Sequence, residues 1–270
     1  MSKVIAVISG KGGVGKTTTT ANVGLGIAMN RRQCVVVDFD IGQRNLDMIL
    51  GLENRVVYDM VQVMDEEAKL EQALIRSKAN SNLYFLPASQ TKDKSVLESE
   101  KIEKLLEDLR KKFEYVILDA PAGIESGFEH TIEFADEAII VVNPEVSSIR
   151  DSDRAIGILD SKSKKVKEGG EVKKHLIVNR IDPEMVERGE MLATEDILEI
   201  LSVDLLGMVP EDRNVIDASN QGHPIILEEK SEAGQAYRRI AKRLCGEKVP
   251  LVEPSAKRKG FVDKLKGLFG

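Results

Sequence analysis

The sequence predicts a doubly wound α/β fold, a mostly parallel sheet of about seven to eight strands with helices on both faces. Three observations predict it: short β-branched runs recur along the chain, amphipathic stretches separate them, and a glycine-rich segment stands between the first run and the first stretch. The runs fall at 4–8, 34–37, 83–86, 115–118, 138–142, 175–178 and 205–209. Each is strand-sized and almost wholly apolar, the pattern of parallel strands buried on both faces. Between them, 17–29, 98–111, 147–161 and 196–201 carry apolar residues at helical spacing, and 231–244 adds a last helix. No boundary interrupts this alternation before Gly246, so 1–246 reads as one domain. Residues 247–256 contain Pro250 and Pro254 and cannot be helical throughout, so they read as a linker that spans at most about 33 Å. Residues 257–270 form a separate tail.

Composition narrows the function classes. The 270 residues are 42% hydrophobic and 31% charged, within the range of folded chains. The longest apolar runs are strand-sized, far below the roughly 18 residues of a membrane span, and the apolar stretch after Met1-Ser2-Lys3 is too short for a signal peptide, so a cytoplasmic protein is expected. Cys34 and Cys245 lie far apart, as do His130, His175 and His223, so neither a disulfide framework nor a thiolate or histidine metal site is indicated. Both cysteines are expected to be buried as small apolar residues. The formal net charge of −6 divides unevenly: the tail carries +4 and residues 1–256 carry −10. An acidic body disfavours a large DNA-binding face and directs attention to the basic tail.

The segment Gly10-Lys11-Gly12-Gly13-Val14-Gly15-Lys16-Thr17 fits GxxxxGK[ST], after a strand and opening a helix, as a phosphate loop requires. Glycines let backbone N–H groups converge on phosphate oxygens at a helix N-terminus, whose dipole also favours anions. Lys16 would reach the β- and γ-phosphates, Thr17 would place its hydroxyl on Mg²⁺, and Thr18 completes the loop's contacts. Two acidic strand ends supply the rest: Asp38 and Asp40 close the second run and Asp119 closes the fourth. Acids at carboxyl ends of strands face the ligand crevice of an open α/β sheet. Asp119 would hold Mg²⁺, with Asp38 behind it, and Asp40 would orient the attacking water.

Lys11 is the unusual residue, because an ordinary phosphate loop needs no second lysine at its start. With KGGVGKT the chain resembles the deviant Walker A family of ATPases, which includes the MinD and ParA branches. The resemblance implies that Lys11 reaches the partner subunit's nucleotide, so that ATP becomes part of a homodimer interface. It extends over 3–270 and is specific to the MinD branch at Asp38-Phe39-Asp40-Ile41-Gly42, Arg44-Asn45-Leu46-Asp47, Pro121-Ala122-Gly123-Ile124-Glu125, Asn143-Pro144-Glu145-Val146-Ser147-Ser148 and Arg150-Asp151-Ser152-Asp153-Arg154. Gln43 stands where that branch has an aliphatic residue, and Ala120 where it has serine. By the same resemblance, adenine sits near Asn179-Arg180 and Pro210-Glu211-Asp212. Asn45, Arg150, Asp151 and Asp153 mark a partner surface for a MinC-like division inhibitor and a MinE-like ATPase activator. The implied function is a membrane-cycling ATPase that positions the division septum, with ATP and Mg²⁺ as cofactors and no specific nucleic acid. A MinD-like regulator of flagellar number and a ParA-like partition ATPase are the alternatives. An electron-transfer protein of the nitrogenase iron-protein type is set aside because Cys34 and Cys245 do not stand where a cluster needs them.

The tail carries its own signal. Phe261, Val262, Leu265, Leu268 and Phe269 share one helical face, with Lys257, Arg258, Lys259, Lys264 and Lys266 as a basic rim. This predicts an interfacial helix that seeks the anionic inner face of the cell membrane. At about ten residues it is marginal in water, and Gly260 and Gly267 weaken it further, so it should fold on lipid. One tail should bind weakly, while two tails on an ATP dimer gain avidity.

Overall fold

The computed structural model describes residues 2–124 and 127–255. The expected membrane residues at 257–270, and Glu125 of the Pro121 segment, lie outside the described residues. Among the described residues eight strands form one sheet: β1 (Lys3–Ile8), β2 (Cys34–Asp38), β3 (Ile75–Arg76), β4 (Leu83–Leu86), β5 (Tyr115–Asp119), β6 (Glu137–Val142), β7 (Lys173–Ile181) and β8 (Asp204–Pro210). Their order is β3-β4-β2-β5-β1-β6-β7-β8, parallel throughout except that β3 runs antiparallel to β4. All seven expected strands are present. The eighth, β3, is two residues long and carries no periodicity that a sequence could display.

Side chains alternate across the sheet with the period of two that strands impose. Ile5, Val7, Cys34, Val36 and Ile117 pack beneath the Lys16–Met29 and Glu232–Leu244 helices. Their neighbours Val35, Val37, Val116 and Leu118 pack on the other face against Ile102, Leu105, Leu106 and Leu109 of the Ser99–Arg110 helix. Further along the same face, Ala6, Ile8 and Ile140 meet the Phe128–Glu133, Val146–Lys162 and Thr194–Leu201 helices. With both faces covered, every residue of β2, β5 and β6 is buried. The five helices read from spacing recur with ends shifted by one or two residues, ordinary fraying of helix boundaries. Short helices such as Leu46–Leu50 and Asn214–Asn220 were not legible, since fewer than two turns show no amphipathic stripe.

At the amino ends of the strands Glu137 of β6 joins Lys3 of β1 and His175 of β7. Its carboxylate accepts from Lys3 Nζ at 2.8 Å and lies 2.8 Å from His175 Nε2. The His175 hydrogen bond and the Lys3 ammonium together pull the Glu137 carboxyl down to about 2 against the cost of burial. His175 is thus a partner of a strand-end carboxylate. Cys34 is fully buried, as expected, and burial holds its thiol well above the ordinary range. Cys245, by contrast, is only half-buried at the end of the last helix.

From β1 the chain moves to β2 on one side and later returns to fill β6 on the other, so the strand order reverses around β1. Such a reversal opens a crevice at the carboxyl ends of the strands. The glycine-rich loop stands there.

Candidate nucleotide site

The loop leaves β1 at Ile8 and re-enters helix at Lys16, so its backbone N–H groups and the helix N-terminus share one concavity. Two glycines are required by geometry. Gly10 lies so close to the Val146–Lys162 helix that a Cβ would stand 2.0 Å from the carbonyl carbon and oxygen of Asp151. Gly15 has φ of +96°, and a Cβ there would stand 2.4 Å from Asn179 Nδ2. Ser152 and Asn179 hold the loop from these two sides. The Gly10 N–H points to Ser152 Oγ at 3.4 Å, and the Asn179 amide donates to the Val14 carbonyl at 2.7 Å.

Lys16 is buried, and desolvation lowers its pKa although Asp119 and Asp40 pull it upward. Asp38 and Asp119 stand opposite each other in register on β2 and β5, both fully buried. Burial raises both carboxyls. The nearby Asp119 charge adds to the effect on Asp38, whereas Lys16 and the hydroxyls of Thr17 and Thr20 oppose it at Asp119. Thr20 donates to Asp119 Oδ1 at 2.8 Å. Asp38 instead spends its oxygens on backbone, accepting from the Asp40 N–H at 2.9 Å and the Leu46 N–H at 3.3 Å. Asp38 therefore braces the loop that carries Asp40, and Asp119 is the acid beside Thr17. Asp40 is half-buried. Burial raises its carboxyl, while Lys94, 3.9 Å away, and Lys16 lower it.

The site in this form is electrostatically unsatisfied. An ammonium and two carboxylates are each desolvated, and neither sign fully compensates the other. A polyphosphate would supply anion to Lys16 and the loop amides, and a divalent cation would supply charge to Asp119 and Thr17. Mg²⁺ commonly takes one or two carboxylates and completes its octahedron with phosphate oxygens and water. The donor set fits that pair of ligands.

The expected base-binding residues gather on one side of the loop. Asn179, Arg180, Pro210, Glu211 and Asp212 line a small cavity with Gly15, Thr18, Ile216 and Tyr237. Arg180 takes a left-handed conformation, φ +58°, next to an irregularity in the β7–β8 pairing. The Asp212 carboxylate is already engaged, by Ser231 Oγ at 2.7 Å and by the backbone N–H and amide of Asn214 at 3.0 and 2.8 Å. The Asp212 carboxylate is thus committed to contacts within the protein. Tyr237 closes the cavity floor and shares a 3.2 Å hydrogen bond with Thr19 Oγ1.

Lys11 stands apart from this cluster. Its ammonium lies 3.0 Å from Glu145 Oε2 and 3.1 Å from Ser147 Oγ at the start of the Val146–Lys162 helix, and its side chain is 42% exposed. Asn45, Arg150 and Asp153 are exposed and Asp151 is half-buried. Thr20, Lys94, Ser152 and Tyr237 were not singled out in the sequence. Thr20 is the fourth threonine of a Thr17–Thr20 run, and nothing in the run marks which hydroxyl faces Asp119.

A family model described as an AAA domain matches residues 2–168. The septum site-determining protein MinD of Helicobacter pylori is 55% identical over 269 residues, covering the whole of both chains. The protein of the same name from Escherichia coli K12 is 53% identical over 272 residues, again covering both. The chain belongs to the MinD family. Among solved structures, the MinC:MinD cell division protein complex of Aquifex aeolicus matches with a TM-score of 0.85 and 46% identity over 94% of this chain and all of that one. MinD of Pyrococcus horikoshii in complex with Mg-ADP matches with a TM-score of 0.79 and 27% identity over 92% of this chain. As a MinD-family member with this loop, the chain is a P-loop ATPase that uses ATP and Mg²⁺. No helix among the described residues is long and apolar enough to cross a membrane.

Proposed function

We propose that this ATPase is a nucleotide switch that places the division septum, dimerising on ATP and binding the inner face of the cell membrane through residues 257–270. The observation that carries the reading is the position of Lys11. It stands at the open end of the nucleotide site, where an exposed ion pair with Glu145 and a hydrogen bond to Ser147 hold it, free to turn toward a second chain's phosphates.

In this scheme Lys16 and the loop amides bind the β- and γ-phosphates, and Thr17 with Asp119 holds Mg²⁺, which offsets phosphate charge. Asp40 orients the attacking water, while Asp38 fixes the Asp40 loop through two backbone N–H groups. Asn179, Arg180 and the 210–212 backbone hold the base. Asn45 and the helix positions Arg150, Asp151 and Asp153 receive a MinC-like inhibitor of division-ring assembly and a MinE-like activator of hydrolysis. That the Aquifex relative forms a complex with MinC supports the first of these. Full-length identity to septum site-determining proteins supports the placement role, and the acidic body speaks against a DNA-partition role.

Co-sedimentation with phosphatidylglycerol vesicles tests the switch. The full chain should sediment with ATP and stay largely in solution with ADP. Removal of 260–270 should abolish sedimentation and leave ATP-driven dimerisation intact. Equal sedimentation of the truncated and full chains would refute the membrane role of the tail.

A further inference from the structure

The Glu232–Leu244 helix runs from the base pocket to the amino ends of the strands. It begins beside Asp212, to which Ser231 donates, and its last residue Leu244 offers its carbonyl to the Tyr115 hydroxyl at the start of β5. A tail attached directly to this helix would leave from the end of the sheet opposite the nucleotide. The chain does something else. Arg243 spreads its guanidinium over three carbonyls: Nε donates to Val249 at 2.8 Å, Nη1 to Leu206 of β8 at 2.7 Å, and Nη2 to Pro250. The segment is thereby turned back along the edge strand β8, and by Ser255 it has reached the groove lined by Pro210, Glu211, Asp212 and Arg213 at the carboxyl end of the same strand. Five residue steps from Pro250 to Ser255 span at most about 17 Å, which matches the rise from Leu206 in β8 to Glu211 just past its end. Leu251 and Val252 on this segment are 48% and 46% exposed, so apolar burial holds it little and the guanidinium is its main anchor.

We infer that Arg243 is a positioning residue for the tail: it straps 247–255 to the edge of β8 so that Ser255, the last described residue, stands beside the base pocket, at the nucleotide end of the domain. This inference rests on the membrane reading above. The strap leaves only 256–260, five residues, between the domain and the apolar face that begins at Phe261. Released, the segment from Gly246 onward adds ten more. Effective concentration of a second, tethered binding event falls roughly as the −3/2 power of linker length, so tripling the tether weakens bivalent binding about fivefold. Single-tail binding, which has no second event, does not change.

The test uses the full chain and Arg243→Ala, with Arg243→Lys as a milder variant that loses the fork but keeps the charge. Amide hydrogen exchange over 246–249, where the Gly246, Glu247 and Val249 N–H groups are hydrogen-bonded, should quicken in both, most in Arg243→Ala. Affinity for phosphatidylglycerol vesicles should fall about fivefold with ATP and stay unchanged with ADP, while ATP-driven dimerisation by sizing stays as in the parent. Inserting ten Gly/Ser residues after Ser255 in the parent chain, which leaves Arg243 untouched, should reproduce the same loss. Unchanged exchange over 246–249 would overturn the strap, and so would quickened exchange with unchanged ATP-dependent vesicle affinity. A parent chain that ignores vesicles in ATP would instead overturn the membrane reading, with the exchange arm still deciding whether Arg243 holds the segment.

Discussion

Asp119→Asn should make the nucleotide-free protein more stable while stripping it of Mg²⁺-dependent nucleotide binding. The carboxyl is buried at the end of β5, opposite Asp38, and burial raises its pKa more than Lys16, Thr17 and Thr20 lower it. Asparagine keeps the shape, can still accept the Thr20 hydroxyl, and carries no charge to desolvate; Lys16 retains Asp40 as counter-charge. Each tenfold gain in proton affinity on folding costs the ionised native state about 1.4 kcal/mol, so a carboxyl raised by ten- to a hundredfold costs about 1.4 to 2.8 kcal/mol at neutral pH. For a domain of this size that corresponds to roughly 3 to 10 °C in melting temperature. The pH dependence follows in sign. Because the folded pKa lies above the unfolded one near 4, the native state binds the proton more tightly in between, and the stabilising contribution, complete below about pH 4, is lost as pH rises through the folded value. Thermal melts of the ligand-free protein between pH 5 and 8 should therefore show stability falling with pH in the parent and a flatter profile in Asp119→Asn. A lower melting temperature at neutral pH, or an unchanged slope, would refute the assignment of an uncompensated charge to this site.

Two further substitutions probe other parts of the argument. Lys11→Ala removes an ion pair that is 42% and 51% exposed, so it should cost less than about 1 kcal/mol of stability and leave nucleotide affinity largely intact, but ATP should no longer drive dimerisation in sedimentation velocity. Glu137→Gln removes the carboxylate held by Lys3 and His175 and should cost about 1 to 3 kcal/mol in urea melts at neutral pH. Because the Glu137 pKa is depressed on folding, that cost is complete above about pH 4 and should shrink as pH falls toward 2.

The sheet was legible because parallel strands buried on both faces must be continuous apolar runs, and the chain has such runs with helices between them. What escaped the sequence was local and short. β3 is set by pairing with β4 and not by any pattern of its own, and the Leu46–Leu50 helix depends on Asp38 accepting the Leu46 N–H, a contact between residues eight apart. The loop and its acids were legible because phosphate binding restricts residue type at fixed spacing. The sequence places Asp38 behind Asp119, but their contacts come from the fold alone: Asp38 braces the Asp40 loop through two backbone N–H groups, and Asp119 receives the Thr20 hydroxyl. Asn179 was placed near the base, but its amide also ties down Val14, a contact across 165 residues that no local pattern encodes. The segment after Gly246 carries Pro250 and Pro254, which bar regular helix throughout, and its described residues form neither helix nor strand. That one arginine would turn it back along β8 depends on three carbonyls brought together by tertiary structure.

The geometry at Lys11 bears on how a switch of this kind can be reset. In the single chain its ammonium rests on Glu145 and Ser147. An exposed pair of this sort is worth at most about 1 kcal/mol and is screened by salt, so it positions the lysine without locking it. A triphosphate carries more charge, and in a water-excluded interface the same ammonium would interact with it at a lower effective dielectric. Nucleotide can therefore draw Lys11 away from Glu145 at small cost, and loss of the γ-phosphate removes most of the reason for it to stay away. Glu145 and Ser147 open the helix that carries Arg150, Asp151 and Asp153, and Gly10 is packed against the backbone of Asp151 on that helix. The resting place of the lysine and the start of the phosphate loop thus both lie against the helix that carries Arg150, Asp151 and Asp153, so a protein docked on that helix in the proposed scheme would act on the loop without touching the nucleotide.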